Sequence, residues 1–349
     1  MKAVRYHEYG AAEVLLYEEA EDPVAGEGEV VVAVRACGVN HFDIDLRAGL
    51  SRWPLPLPHQ LGVEFAGEVD SVGPGVVGLA PGDGVWVQHE IECGTCAYCR
   101  AGKPNLCRQA QMFSVQLPGG YAEKVSAPAR SIHPLPEGLS FEQAAAGQVA
   151  FATAWHMLVT RGHVAPGQTV VAQAAGSGIG HAAVQIAALA GAQVIATAGS
   201  AAKLDRAREL GADEGINYRE EPIAERVLQL TGGRGADLFI EHVGGGLFME
   251  SLRALRPGGR LVTCGAHGGE TPPIDIVEVF RNEWEVLGSR IGTPEEMATV
   301  MDLLGQGRLQ AEIHAALPLA QAAQAHRILE QREQTGKVIL VVPDANPDA

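Results

Sequence analysis

The spacing of apolar and polar residues changes character near residue 150. Before it, short apolar runs are cut by turn residues. Val30-Val31-Val32-Ala33-Val34 is a β-rich run entered from the loop Gly26 to Glu29. Glu68-Val69-Asp70-Ser71-Val72 alternates and runs into Gly73-Pro74-Gly75, and Pro81-Gly82-Asp83 opens a strand at Val85-Trp86-Val87. Such spacing predicts a compact β domain with few helices.

After Ala150 the rhythm is that of strands alternating with helices. Val170-Val171-Ala172 reads as a strand and Ile179 to Ala190 as a helix, by apolar residues three and four apart. A second strand, Val194-Ile195-Ala196-Thr197, precedes a helix over about Ala201 to Leu210. Leu238-Phe239-Ile240, Leu261-Val262-Thr263 and Val286-Leu287-Gly288 are further strands. Successive βαβ units build a doubly wound parallel sheet, so the fold class is α/β with a β-rich companion domain. The tail from about Arg290 carries a helix near Pro294 to Leu304 and the strand Val338-Ile339-Leu340-Val341-Val342.

Composition narrows the function. The 349 residues suit two domains, and 46% apolar content can fill both cores. A net charge of −16 repels phosphate backbones, which argues against nucleic acid and for a small-molecule substrate. No apolar stretch approaches the roughly 18 to 20 residues needed to span a bilayer. The start, Met1-Lys2-Ala3-Val4-Arg5-Tyr6, lacks a secretory core. Four of the six cysteines lie between Cys93 and Cys107, unlike a disulfide framework, so a cytoplasmic setting is expected.

Two motifs carry chemistry. Ala174-Ala175-Gly176-Ser177-Gly178-Ile179-Gly180 follows a strand and opens a helix. Small residues there let backbone N–H groups approach a pyrophosphate, although a plain βα turn also uses glycine. The second strand ends at Ala198-Gly199-Ser200 with Lys203 close behind. No carboxylate stands there to bond ribose hydroxyls, while a hydroxyl and an ammonium suit a 2′-phosphate, so NADP(H) is the expected dinucleotide. A solvated helix-face lysine is the plainer alternative. The second motif, Cys93, Cys96, Cys99 and Cys107, has the C-x2-C-x2-C-x7-C spacing of a closed tetrahedral site for one structural Zn²⁺, with an iron–sulfur cluster as competitor.

In this order the motifs resemble the medium-chain dehydrogenase/reductase superfamily, as do Pro23, Leu61-Gly62-Val63-Glu64-Phe65-Ala66-Gly67 and Gly119-Gly120-Tyr121-Ala122-Glu123. The resemblance implies a GroES-like catalytic domain over 1–150 and 290–349, with the zinc lobe at about 90–110, and a Rossmann domain over 151–289. Alcohol dehydrogenases of this family hold a second, catalytic zinc by two cysteines and a histidine. The matching positions here are Asn40, Val63 and Val149, poor zinc ligands. Cys37, His41, His59 and Glu64 could in principle build another site, but their spacing gives no sign of it.

Asn40-x-x-Asp43 and Thr197 to Tyr218 resemble the zinc-free quinone oxidoreductase branch, although that branch usually lacks the four-cysteine lobe. The likeness implies Ser200, Lys203 and Tyr218 at the 2′-phosphate. Ala175 to Gly180, Gly199, Val243, Gly265, Ala266, Gly288 and Ser289 are the other implied cofactor residues. Asn40, His41 and Asp43 are the candidate catalytic residues, the first two as hydrogen-bond donors and Asp43 as the group that orients their loop; the plainer alternative is that Asn40 and Asp43 only fix a turn by side-chain to backbone bonds. A homodimer or homotetramer is implied. The expected reaction is NADP(H)-dependent reduction of a quinone, enone or related activated alkene or carbonyl. A zinc-free alcohol dehydrogenase or carbonyl reductase is the alternative, and an NADPH-binding sensor or structural protein is the alternative of another class.

Overall fold

Glu29–Val39 is the backbone around which the first unit forms. Its apolar residues are so nearly continuous that both faces are covered, and it accepts partners along both edges. The computed structural model describes residues 1–51 and 53–342. It divides the chain into Met1–Val149 with Met301–Ala349, and Ala150–Val300. Residues 343–349 of the expected C-terminal segment lie outside the described residues.

In the first unit the main sheet has seven strands. Ile132–Pro134, Gly84–Val87, Glu64–Val72, Glu29–Val39, Lys337–Val341 and Ile313–Pro318 lie in that order, and Lys124–Pro128 also pairs with Glu29–Val39. Register decides what meets at the end of the central strand. Gly38 pairs with Glu64 on one side and with Ile339 on the other, which brings the start of the last strand beside Glu64. Glycine is required at two of these crossings. A Cβ on Gly67 would lie 2.0 Å from the Ala33 carbonyl oxygen, and one on Gly38 would lie 2.6 Å from that of Ala145. Val30, Val32, Val34, Phe65, Tyr121 and Leu340 close the core beneath the sheet.

The second unit holds six parallel strands, in the order Glu214–Asn217, Gln193–Ala198, Thr169–Ala172, Ala236–Glu241, Leu255–Thr263 and Glu285–Gly288. The chain runs outward from Thr169–Ala172 in both directions. This reversal of strand order opens a crevice at the strands' carboxyl ends, where ligands bind in doubly wound sheets. Helix Gly178–Leu189 is buried from Gly180 to Ala187, as suits its Ala-rich sequence.

Sequence and structure differ at the second boundary. The expected break at 289/290 falls instead at 300/301, inside the helix Pro294–Gly305. The start of that helix is held in the second unit because Glu296 pairs with His156 at 2.8 Å and accepts the Thr160 hydroxyl. The β-rich region also holds more helix than its pattern suggests, in His41–Arg47 and Phe141–Trp155. No described helix is long and apolar enough to cross a membrane.

Candidate active site, cofactor turn and metal centre

The four-cysteine lobe is assembled by one short turn. Cys96 caps the helix Ala97–Arg100, and Cys107 follows the turn Pro104–Leu106. The ligand atoms of Cys93, Cys96, Cys99 and Cys107 all lie within 4.8 Å of one another. Their Sγ–Sγ separations include 3.5 Å for Cys96–Cys99, 3.8 Å for Cys96–Cys107 and 4.0 Å for Cys93–Cys99. A tetrahedron with Zn–S bonds of about 2.3 Å has edges of about 3.8 Å, so the thiols are spaced for such an ion. Backbone N–H groups point at the sulfurs: that of Cys96 donates to Cys93 Sγ at 3.3 Å and that of Cys93 to Cys107 Sγ at 3.4 Å. Donors from Thr95 and Cys96 pull the Cys93 thiol down to about 6, toward the thiolate that a metal needs. Among the described residues, Cys37, His41, His59 and Glu64 do not converge in this way.

Asn40 ends the strand Glu29–Val39 and caps the helix His41–Arg47. Its Nδ2 donates to Glu64 Oε1 at 2.9 Å, and its Oδ1 accepts from Lys337 Nζ at 2.7 Å. Lys337 Nζ also donates to the Val39 carbonyl at 3.1 Å and forms an ion pair with Glu64. The other Glu64 oxygen accepts the Val149 N–H at 2.8 Å. Glu64 has no exposed surface and Lys337 only 4%. The three positions Asn40, Glu64 and Val149 therefore meet at a buried ion pair.

Asp43, expected to orient the loop of Asn40 and His41, sits beneath it. It is fully buried, and its two oxygens accept the N–H groups of Asn40 at 2.9 Å and Gly62 at 3.1 Å. A carboxylate so enclosed ties the Asn40 and Gly62 backbones together. Burial pushes its carboxyl up to about 7, against those two bonds. His41, the first helical residue, is partly exposed.

In the second unit, Ser177 caps helix Gly178–Leu189, its Oγ accepting the Gly180 N–H at 3.0 Å. Gly180 has no room for a side chain, since a Cβ would lie 2.2 Å from the Ala174 oxygen. Two further glycines leave openings that polar side chains fill. A Cβ on Gly176 would lie 2.6 Å from Lys203 Cδ, so the lysine stem crosses the turn. A Cβ on Gly199 would lie 2.7 Å from Tyr218 Oη and 3.0 Å from Arg219 Nε. Ser200 caps the next helix without using its hydroxyl. Burial, and then the charge of Arg219, lowers the Lys203 ammonium below the usual lysine range. These groups suit a phosphate monoester on the adenosine ribose. At the other end, Ser289 carries a buried Oγ with no hydrogen-bond partner, and nothing crowds Gly288 within 4 Å.

Sequence reasoning missed Lys337, Arg219 and Glu241. Glu241 is fully buried, accepts the Val243 N–H at 2.7 Å and the Thr263 hydroxyl at 2.8 Å, and so shapes the loop that carries Val243. A carboxylate closing the apolar run Leu238-Phe239-Ile240 at the end of the strand Ala236–Glu241 was the available signal. For Lys337, the signal was a lysine opening the apolar run Val338 to Val342.

Comparison with known proteins agrees with this layout. Residues 26–137 match the alcohol dehydrogenase GroES-like domain, and residues 178–306 match zinc-binding dehydrogenase. An alcohol dehydrogenase of Geobacillus stearothermophilus is 33% identical over 94% of this chain and 96% of its own length. A quinone oxidoreductase of Pseudomonas aeruginosa is 33% identical over 97% of this chain and 99% of its own. A crystal structure of an NAD-dependent alcohol dehydrogenase superposes with a TM-score of 0.95 at 42% identity, covering 98% of this chain and 100% of that one.

Proposed function

The chain belongs to the medium-chain dehydrogenase/reductase superfamily, and we propose that within it this oxidoreductase reduces quinones, enones or similar activated alkenes with NADPH, without a catalytic metal. The observation that carries the reading is the chemistry at Asn40. Where a metal-dependent relative needs thiolates and an imidazole, this chain has an amide, two valines and a buried ammonium that already neutralises Glu64.

When bound, the dinucleotide supplies the hydride. The protein's residues do the rest. The Gly178–Leu189 helix start offers N–H groups to the pyrophosphate. Ser200, Lys203, Tyr218 and Arg219 hold the 2′-phosphate, and Gly288 and Ser289 receive the far end. Asn40 Nδ2–H donates to the substrate oxygen on which negative charge develops, with His41 as a second donor, while Asp43 fixes the start of their helix. One such donor is typically worth about a hundred- to thousandfold in rate. A conjugated acceptor spreads charge onto that oxygen and needs no stronger Lewis acid. The Cys93, Cys96, Cys99 and Cys107 lobe would hold one structural zinc and take no part in the chemistry.

Assembly as a homodimer or homotetramer belongs to the same proposal, supported by the exposed apolar side chains of Ile276, Val277, Phe280 and Val286. The six free thiols support a reducing, cytoplasmic setting. The alcohol dehydrogenase relatives favour a second reading, a metal-free carbonyl reductase acting on aldehydes or ketones. The deciding experiment offers the purified protein a panel of quinones, enones, aldehydes and secondary alcohols with NADPH and NADH. Turnover of quinones or enones with NADPH supports the first reading. Turnover confined to aldehydes and alcohols selects the second, and tight NADPH binding without any turnover would point to a sensor.

A further inference from the structure

The Asn40 carboxamide has two ends that no rotation makes equivalent, and its surroundings dictate which end faces where. Lysine has donors only and an ionised carboxylate acceptors only. With Lys337 Nζ at 2.7 Å on one side and Glu64 Oε1 at 2.9 Å on the other, oxygen must face the lysine and nitrogen the glutamate. A flipped amide would set N–H against ammonium and C=O against carboxylate. One Nδ2–H is taken by Glu64, and the second is the donor that remains.

Lys337 is fully committed in this arrangement. Its three N–H groups serve the Val39 carbonyl, Asn40 Oδ1 and Glu64 Oε1. It cannot itself bond a substrate in this geometry and acts through its neighbour. A cation on an amide oxygen draws electron density from the amide nitrogen and makes its N–H a stronger donor.

We propose that Lys337 is the positioning residue of the site: its ammonium locks the Asn40 carboxamide in one orientation and polarises it, so that the second Nδ2–H meets the developing oxyanion. A fixed side-chain cation thus assists the reaction one hydrogen bond away from the substrate, and its charge bars a second cation from the pocket. Glu64 is the counter-ion that makes the burial of Lys337 tolerable, and Gly38 leaves the space, since a Cβ there would lie 2.4 Å from Glu64 Oε1.

The inference rests on Asn40 as donor, so the test separates the two ideas. Lys337→Met alone would strand the Glu64 charge and risk unfolding, so it is paired with Glu64→Gln, which removes both charges together. With 1,4-benzoquinone and NADPH, Lys337→Met/Glu64→Gln lowers kcat by roughly 10- to 100-fold and leaves NADPH affinity unchanged. Adding Asn40→Ala to that pair produces no loss beyond that of Asn40→Ala alone, because the effects act through one group. Independent, multiplying losses would overturn the proposal.

A second readout needs no turnover. In the full-length, cofactor-free protein, the Asn40 side-chain NH2 protons, assigned by their disappearance in Asn40→Asp, exchange with solvent at least about tenfold faster once Lys337 and Glu64 are replaced. Unchanged exchange sinks the locking, whatever the enzyme reduces. Should the wild type reduce neither quinones nor enones, the proposed activity fails and the exchange rates still decide the role of Lys337.

Discussion

The first unit contains two tight polar clusters that differ in how they meet their own charge. In the lobe, four sulfurs converge, with backbone N–H groups aimed at those of Cys93 and Cys107, and their spacing suits a cation from outside. In the Asn40 cluster a carboxylate with no exposed surface already has its cation, the Lys337 ammonium. Burying a charge is costly unless it is paired. The difference teaches that an ion site is recognised by unmet charge as well as by donor type. The lobe presents a donor set that fits a guest ion, and the Asn40 cluster supplies its own cation.

Metal content tests that contrast most severely. We expect one zinc per chain in the wild type and none in Cys96→Ser. Structural zinc contributes directly to folding, so the variant loses several kcal/mol in its lobe and roughly 5–10 °C in melting temperature. Limited proteolysis should open the segment between residues 93 and 107 first. Two zincs in the wild type, or one retained in Cys96→Ser, would erase the distinction between the clusters.

The second unit offers the mirror image of the lobe, a cationic group suited to an anion. Lys203→Ala and Arg219→Ala should each weaken NADPH binding by about 10- to 100-fold, the worth of a charge-assisted phosphate contact. NADH binding should hold within a factor of about two, since NADH lacks the 2′-phosphate. Fluorescence titration of both dinucleotides measures this. An equal loss for NADH would mean that the two side chains merely stabilise the fold around Gly199.

What was legible in the sequence follows the same division. The Cys lobe was readable because its ligands lie close in sequence. The strand, turn and helix at Gly176 to Gly180 were readable because small residues and apolar spacing both mark them. The parallel sheet followed from βαβ rhythm. The Asn40 cluster was only half visible, since Asn40 and Glu64 stand out by their place in a family pattern, while Lys337 is separated from them by most of the chain. Sheet register, through Gly38 opposite Glu64 and Ile339, brings it there, and no local pattern encodes that register. Arg219 was passed over because an exposed arginine near a strand end usually signals nothing. The burial of Asp43 became visible only in three dimensions. The domain boundary near residue 300 was missed because the His156–Glu296 pair joins residues far apart in sequence.

The smallest expected effect concerns Asp43, and it bears on whether the Asn40 cluster truly balances its charge. Lys337 and Glu64 cancel, so the balance holds only while Asp43 is protonated. The charged and titratable groups around it are Lys337, Glu64, Cys37, Tyr6 and Tyr121. Burial raises its carboxyl from the ordinary 3.8 to about 7. The native state then binds this proton more tightly than the unfolded chain does, so the contribution is fully present below the unfolded value. It is lost as pH rises through about 7, and the curve is flat above that. Between pH 6 and pH 8 the loss is about 1 kcal/mol, a few degrees of melting temperature. Other groups titrate in that window, so the measurement is the difference between wild type and Asp43→Asn at each pH. The variant is less stable throughout, having given up a backbone acceptor, but its gap to wild type should narrow by that amount as pH rises. A gap constant from pH 6 to pH 8 would mean that Asp43 is ionised across the range. The cluster would then carry a surplus negative charge, and the contrast between a donor set that fits a cation and one supplied with its own would collapse.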